Sequence, residues 1–392
     1  MAPRIRDASG TSHLQKQKIV SLVKDCLHFS LACVIVFVLI EGISSTLIFV
    51  HQVWLSVRAH YPHYTRYDKE LGWSNIPNYY DKDCFAPGVY LRTNSRGFRS
   101  NEETSDSVPR GKVRLVCSGD SFTLGDGVDN DHTWCQRLSS LNSALETVNM
   151  GESGYGVDQM YLLYRRDGAS LQHDIHIFAV IGDDFRRMEF TAVGPGTHKP
   201  ILKLENGSLV AANVPVPRNP PLMSWWLYDV FIYGRPSFND LRTTRLLTSA
   251  LDRISPRLLR SFSNEPTPVL PQTISKVIDE LQFLNKEKNS ILVLVYLPAE
   301  MDYNGTDPHL PVWRNLLRQE AGRTGLLLID LTEDFEKLSP PQIGRFFIHP
   351  DAFLSAFGAG HYSNEGNAFV AGKLYSYLVS RPEVQRKLAE VQ

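Results

Sequence analysis

Ser121 stands in VRLVCSGDSFTLGDGVD (113–129), where an apolar run passes into Gly119-Asp120-Ser121 and then into a Gly-rich turn. A serine hydroxyl becomes a nucleophile when a base removes its proton, and the tetrahedral intermediate then needs donors for its oxyanion. His361, in GAGHYSNEGNAFVA just ahead of a C-terminal helical pattern, is the candidate base. Two other blocks end apolar runs in polar or Gly-rich turns. VNMGESGYGVDQ (148–159) carries Gly154, whose bare backbone N–H can face an oxyanion, and VIGDDF (180–185) carries Asp183 and Asp184. Gly-Asp-Ser alone is weak, because a serine in a turn is common. The four blocks in order are stronger.

The elements that must position these residues are legible as strand–helix alternation from residue 113 onward. VRLVC, ETVNM, DIHIFAVI, ILVLVYL (291–297) and GLLLIDL (325–331) read as strands. HTWCQRLSSL, GVDQMYLLYRR, 272–288 and 311–323 read as helices between them, and a last helix starts at Ser363, whose side chain can cap it. Continuous apolar strands separated by helices predict a parallel sheet covered on both faces. In such a sheet, sites form where strands end.

The order of nucleophile, Gly turn, polar strand end and histidine resembles the SGNH hydrolase family, also called GDSL esterases, over roughly residues 110–380. YDKELGWSNIPNY and NSRGFR upstream look like the lead-in of its membrane-anchored bacterial branch. The resemblance implies an α/β fold, a three-layer α/β/α domain with a flavodoxin-like parallel sheet. It also implies ester hydrolysis or acyl transfer through an acyl-serine, with no cofactor or metal. By position, Ser121 is the nucleophile and its N–H an oxyanion donor, Gly154 supplies a second donor, and His361 is the base. The family's Asn, an oxyanion donor, falls on Asp183, which when ionised only accepts unless burial keeps it protonated. The family's acid three residues before the histidine falls on Gly358; Asp351, ten positions upstream, is the nearest acid that a loop can return to His361.

The N-terminus is read separately. Residues 26–55 are apolar over more than the roughly 20 residues a bilayer needs. The preceding basic residues of the 1–25 tail place that tail in the cytoplasm and the rest across the membrane. This predicts a single-pass anchor in the bacterial inner membrane with a periplasmic catalytic domain. A cleaved signal peptide with Leu31–Ile40 as its apolar region is the competing reading. Glu41 is costly in mid-segment and needs a partner helix or the neighbouring Gly42 and Ser44–Thr46.

Between anchor and sheet, 58–110 reads as irregular structure with short strands. The sheet domain spans 111–392, with an insertion at 186–270 that either caps the site, meets the membrane through Trp225, Trp226 and Phe231, or adds core. Net charge is −1 over 392 residues, so composition offers nothing to nucleic acid. The five cysteines lack metal or framework spacing, although Cys84 and Cys135 can pair in an oxidising compartment. His173 and His176 fit a metal poorly, and the acidic run Asp126, Asp129, Asp131 reads as a solvated turn that caps a helix. The expected partners are an acylated small molecule, polysaccharide or lipid, and the membrane. Two functions stay open: a serine esterase or acyltransferase, and a degenerate SGNH-fold scaffold in envelope assembly.

Overall fold

A computed structural model describes residues 9–58, 62–193, 197–217, 243, 246–247, 270–304, 310–349 and 358–391. The chain divides into two units, Met1–Arg58 with Pro221–Ser263, and Ala59–Pro220 with Asn264–Gln392.

In the first unit, Ser9–Arg58 forms one helix. Its stretch Gln17–Leu47 is long and apolar enough to cross a membrane, and side chains such as Val34, Phe37 and Leu39 are exposed. Glu41, the charge that interrupts this stretch, is met by Thr243. Its Oε2 accepts from the Thr243 backbone N–H (3.0 Å) and from Thr243 Oγ1 (2.7 Å). A carboxylate in an apolar segment is tolerated when donors replace water, as the serine- and threonine-rich neighbourhood foreshadows.

The second unit begins with the two hairpins of the lead-in. β1 (Thr65–Asp68) pairs antiparallel with β2 (Gly72–Asn75), and β3 (Tyr80–Ala86) with β4 (Val89–Arg92). Next come β5 (Val113–Gly119), β6 (Leu145–Gly151) and β7 (Ile175–Val180). A hairpin of β8 (Ile201–Glu205) and β9 (Ser208–Ala212) intervenes before β10 (Ile291–Tyr296) and β11 (Leu327–Asp330). The central sheet is parallel throughout, in the order β11-β10-β7-β5-β6. Numbered along the chain from β5, that is 2-1-3-4-5 read from β6, the flavodoxin-like order expected from the resemblance.

Burial explains why these strands have no polar alternation. β5, β7 and the last five residues of β10 are buried on both faces. Val116, Val148, Phe178, Leu292 and Leu294 face one core, shared with helices Val157–Leu163, Leu270–Lys286 and Leu310–Thr324. Leu115, Cys117, Ile177, Val293 and Ile329 face the other, shared with Trp134–Leu141, Asn364–Val379 and Pro382–Val391. Helix–sheet–helix layering follows directly. Ser363 caps the helix it was expected to cap, accepting from Gly366 N–H.

Three sequence expectations are revised. Cys84 and Cys135 are free and lie in different core clusters, and the buried Cys135 thiol neighbours Cys117 instead. The helix Pro382–Val391 was not anticipated; Val384 and Leu388 fasten it to the sheet. The hairpin β8–β9 lies within the segment read as insertion, and most of the remainder of 186–270, including Trp225, Trp226 and Phe231, lies outside the described residues.

At the ends of β5 and β6 the backbones approach closely. A Cβ on Gly151 would lie 2.1 Å from Leu124 N, so no side chain fits between β6 and the turn after β5. Gly151→Ala therefore forces backbone apart. It is expected to destabilise the chain by about 3 kcal/mol, at the upper end for overpacking; an unchanged denaturation midpoint would refute this contact.

Candidate active site

Strand order reverses between β5 and β7, and crevices open at the carboxyl ends of strands where this happens. Ser121 follows β5 and opens the four-residue helix Ser121–Leu124. Asp120 caps that helix, its Oδ1 accepting from Phe122 N–H (2.9 Å). Gly125 ends it in the left-handed region at φ 91°, donating to the Ser121 carbonyl. Ser121 N–H belongs to the first turn, where no intrahelical acceptor exists.

Carbonyls released by so tight a turn need donors. Arg99 of NSRGFR, fully buried, supplies them. Nη1 donates to the carbonyls of Leu124 (2.8 Å) and Gly125 (2.7 Å), Nη2 to that of Val128, and Nε to Asn130 Oδ1 (2.9 Å). Asn149 of β6 adds Nδ2 to the Thr123 carbonyl (2.8 Å).

His361 arrives from a loop stitched to Ile348, with Ile348 N–H donating to the His361 carbonyl and Gly360 N–H to that of Ile348, each at 2.8 Å. The Phe122 ring packs on the imidazole, centroids 4.8 Å apart. The result is a hydrogen bond of 2.7 Å between Ser121 Oγ and His361 Nε2 across 240 residues of sequence. Asp120 Oδ2 is the hydroxyl's other acceptor, but at 3.3 Å it is the weaker one. With Nε2 accepting, Nδ1 carries the imidazole proton. Nδ1 is buried and finds no acceptor among the described residues. Asp351 lies outside the described residues, and Gly358 has no carboxylate to offer.

Gly154 adopts φ 76°, where a side chain is strained. Its turn is held by the lead-in. Trp73 Nε1 donates to the Ser153 carbonyl (2.8 Å), Asn75 N–H donates to Glu152 Oε1 (2.8 Å), and Tyr155 Oη donates to the Trp73 carbonyl. Burial pushes the Glu152 carboxyl well up, toward its neutral form. Among the described residues nothing accepts from the Gly154 N–H. A cavity of about 450 Å³ lies behind this turn, with Arg66, Asn75, Arg96, Glu152 and Arg166 in its wall, but neither Ser121 nor His361 lines it.

Asp183 opens helix Gly182–Arg187 among carboxylates and guanidiniums. Its oxygens lie 2.8 Å from Arg186 Nη2 and 3.4 Å from Arg187 Nη2. Oδ2 accepts from Arg187 Nη2, whereas Oδ1 is buried beside Arg186 without a hydrogen-bond partner among the described residues. Arg187 is the hub, with Nη1 donating to Asp120 Oδ2 (3.1 Å), Asp184 Oδ1 (2.8 Å) and the Tyr155 carbonyl (2.9 Å). Burial works against the Arg187 charge, but Asp184, Asp120 and Asp183 outweigh it and hold the guanidinium up. Burial and then the nearby Asp120 push the Asp184 carboxyl well up.

Sequence reading missed Arg187, although its i+3 and i+4 spacing from Asp184 and Asp183 on one helix was a signal. It missed Arg99, whose fixing of the nucleophile turn has no local signature. It also misplaced Asp126. Asp129 and Asp131 do face outward, Asp129 capping the next turn, whereas Asp126 is buried. His173 and His176 are satisfied core residues, with Asn285 Nδ2 donating to His176 Nδ1 (3.0 Å) and Tyr164 stacked on the His176 ring.

Removing the hub cation leaves Asp120 and Asp184 without an ion-pair partner among the described residues, while Asp183 keeps Arg186. Arg187→Met is expected to cost about 3–5 kcal/mol in thermal unfolding of the full chain, and Arg187→Lys less, since it keeps the charge without the fork. Equal melting of Arg187→Met and the parent would show that the cluster is not a charge balance.

No protein-family model matches the chain, and no curated protein matches it. Solved structures similar to it include a member of the lipolytic protein G-D-S-L family from Veillonella parvula, at 15% identity over 69% of this chain and 100% of that one, TM-score 0.37. A lipase/acylhydrolase from Enterococcus faecalis is similar at 12% identity over 69% and 96%, TM-score 0.38. An acetyl xylan esterase is similar at 15% identity over 68% and 100%, TM-score 0.36.

Proposed function

We propose that the chain is a serine ester hydrolase of SGNH type, with Ser121 as nucleophile and His361 as base. The observation that supports this reading is the 2.7 Å hydrogen bond from Ser121 Oγ to His361 Nε2, set at the strand ends where the sheet order reverses.

In the proposed reaction Ser121 Oγ attacks the ester carbonyl while its proton passes to His361 Nε2. The oxyanion is met by the backbone N–H groups of Ser121 and Gly154. Collapse breaks the bond to the alcohol, which leaves with the proton from His361, and an acyl-Ser121 remains. Water, or another alcohol in the case of transfer, then attacks that acyl group with His361 again as base; the acyl–Oγ bond breaks and His361 returns the proton to Ser121 Oγ. Asp183 contributes no donor, so the oxyanion rests on backbone alone. Losing one such donor elsewhere costs on the order of 100- to 1000-fold, and a slow enzyme is the expectation.

The membrane-facing part of the reading rests on the helix over Gln17–Leu47. Held there, the site serves O-acyl groups, acetyl among them, on envelope polysaccharide or lipid on the periplasmic side of a bacterial inner membrane. The unfilled donor position at Asp183 supports the second reading, a catalytically silent scaffold.

The test is p-nitrophenyl acetate turnover by the full chain in detergent. Ser121→Ala and His361→Ala are each expected to lose on the order of 10⁴-fold or more. Asp183→Asn, which supplies an amide donor, is expected to raise turnover on the order of 10-fold. Parent turnover no faster than Ser121→Ala, with no gain in Asp183→Asn, would favour the scaffold.

A further inference from the structure

We infer that Asp126 is a positioning residue for His361: its buried carboxylate balances the charge that the imidazole takes on with the Ser121 proton, in place of the acid missing at Gly358. The inference rests on the Ser–His reading above and names the group that reading lacks.

Placement carries it first. Asp126 is 3% exposed and sits five residues after the nucleophile, its N–H donating to the Ser121 carbonyl (3.1 Å). The adjoining Gly127 lies against the histidine loop: a Cβ built on it would be 3.1 Å from Gly358 Cα. The turn bearing Asp126 therefore backs directly onto the position three residues before His361. That position has no side chain of its own, its carbonyl accepts from the His361 N–H (3.2 Å), and the buried imidazole Nδ1 has no described acceptor.

Its surroundings carry it second. A buried carboxylate survives only if donors and cations replace water. Tyr64 Oη donates to one oxygen (3.0 Å) and Ser153 Oγ to the other (2.5 Å). The basic groups facing it are His361 and Arg99, and none of the described hydrogen bonds of Arg99 goes to a carboxylate. Burial pushes the Asp126 carboxyl up, and the His361 charge is the largest influence drawing it back down. Tyr64, Cys84 and Glu152 also face it. Burial pushes all three up, Cys84 to about 12, which favours their neutral forms. Asp120, on the other side of Ser121, is already committed to Arg187.

The alternative is that Asp126 merely pins a buried turn, and a pH profile separates the two. The readout is the rate at which a fluorophosphonate labels the full chain in detergent. In labelling, the Ser121 Oγ–P bond forms, the P–F bond breaks with loss of fluoride, and the serine proton passes to His361. Rates are measured from about pH 5 to about pH 9, where a histidine base titrates. Asp126→Asn is expected to label at least about 10-fold slower, with the acid limb moved about one unit to lower pH, because the protonated imidazole has lost its counter-charge. Asp126→Glu is expected to restore part of both. Tyr64→Phe removes one donor to the carboxylate and is expected to move the limb the same way by less; it carries the test if Asp126→Asn does not fold. Slower labelling with an unmoved acid limb, in Asp126→Asn or failing that in Tyr64→Phe, overturns the inference and leaves Asp126 a turn residue. Parent labelled no faster than Ser121→Ala takes down the Ser–His reading itself, and this inference with it.

Discussion

A serine presented at the end of a buried parallel strand imposes one constraint on everything around it: the backbone must turn within four residues, with no water to satisfy what the turn exposes. Arg99 answers that constraint. One guanidinium, contributed by the lead-in and not by the sheet domain's own alternation, reaches the carbonyls of Leu124, Gly125 and Val128 and the Asn130 side chain. A planar group with five fixed donors can do this where a lysine cannot. The close seating of Leu124 against Gly151 then fixes the turn from below. The lead-in also sets the Gly154 turn through Trp73 and Asn75. Its two hairpins therefore shape the site although none of their residues belongs to the Ser–His pair.

Much of this was legible in the sequence because buried parallel strands announce themselves as unbroken apolar runs. β5, β7 and β10 are read directly from VRLVC, DIHIFAVI and ILVLVYL, and the 2-1-3-4-5 order agrees with the family resemblance. Ser121 and His361 were legible for another reason: each stands at an element boundary, where a polar residue among small ones is conspicuous. What escaped was long-range polar pairing. Arg99 and Asn130 are 31 residues apart, and Glu41 and Thr243 are 202 apart. No periodicity reports such contacts. Asp126 escaped for a related reason: three acids at close spacing look like a solvated turn, and only the fold shows that the first of them points inward.

The two departures from the pattern that the sequence resembles look at first like losses of function, since a carboxylate stands where that pattern has an oxyanion donor and a glycine where it has the acid before the histidine. The charges around the site argue that they are linked to a different arrangement. Asp183 does not stand alone as a negative charge beside the nucleophile; it shares Arg187 with Asp120 and Asp184, so the cluster next to Ser121 carries its own counter-charge. The turn at Gly127 comes within van der Waals reach of Gly358 in the histidine loop, an approach that a side chain at Gly127 would crowd. On that side Asp126 feels the positive charge of both Arg99 and His361.

The consequence is a division of labour by distance and dielectric. Arg187 screens the carboxylates on the Ser121 side, where a bare negative charge would oppose the oxyanion. Asp126 is left to act on the His361 side, where negative charge assists proton acceptance. In water such a separation over a few ångströms would count for little, but these groups are buried and each interaction is correspondingly stronger. A site with a carboxylate at Asp183 and none at Gly358 can therefore still hold opposite polarities on the two sides of one serine. Catalysis of ester cleavage asks for that polarity before it asks for any particular residue.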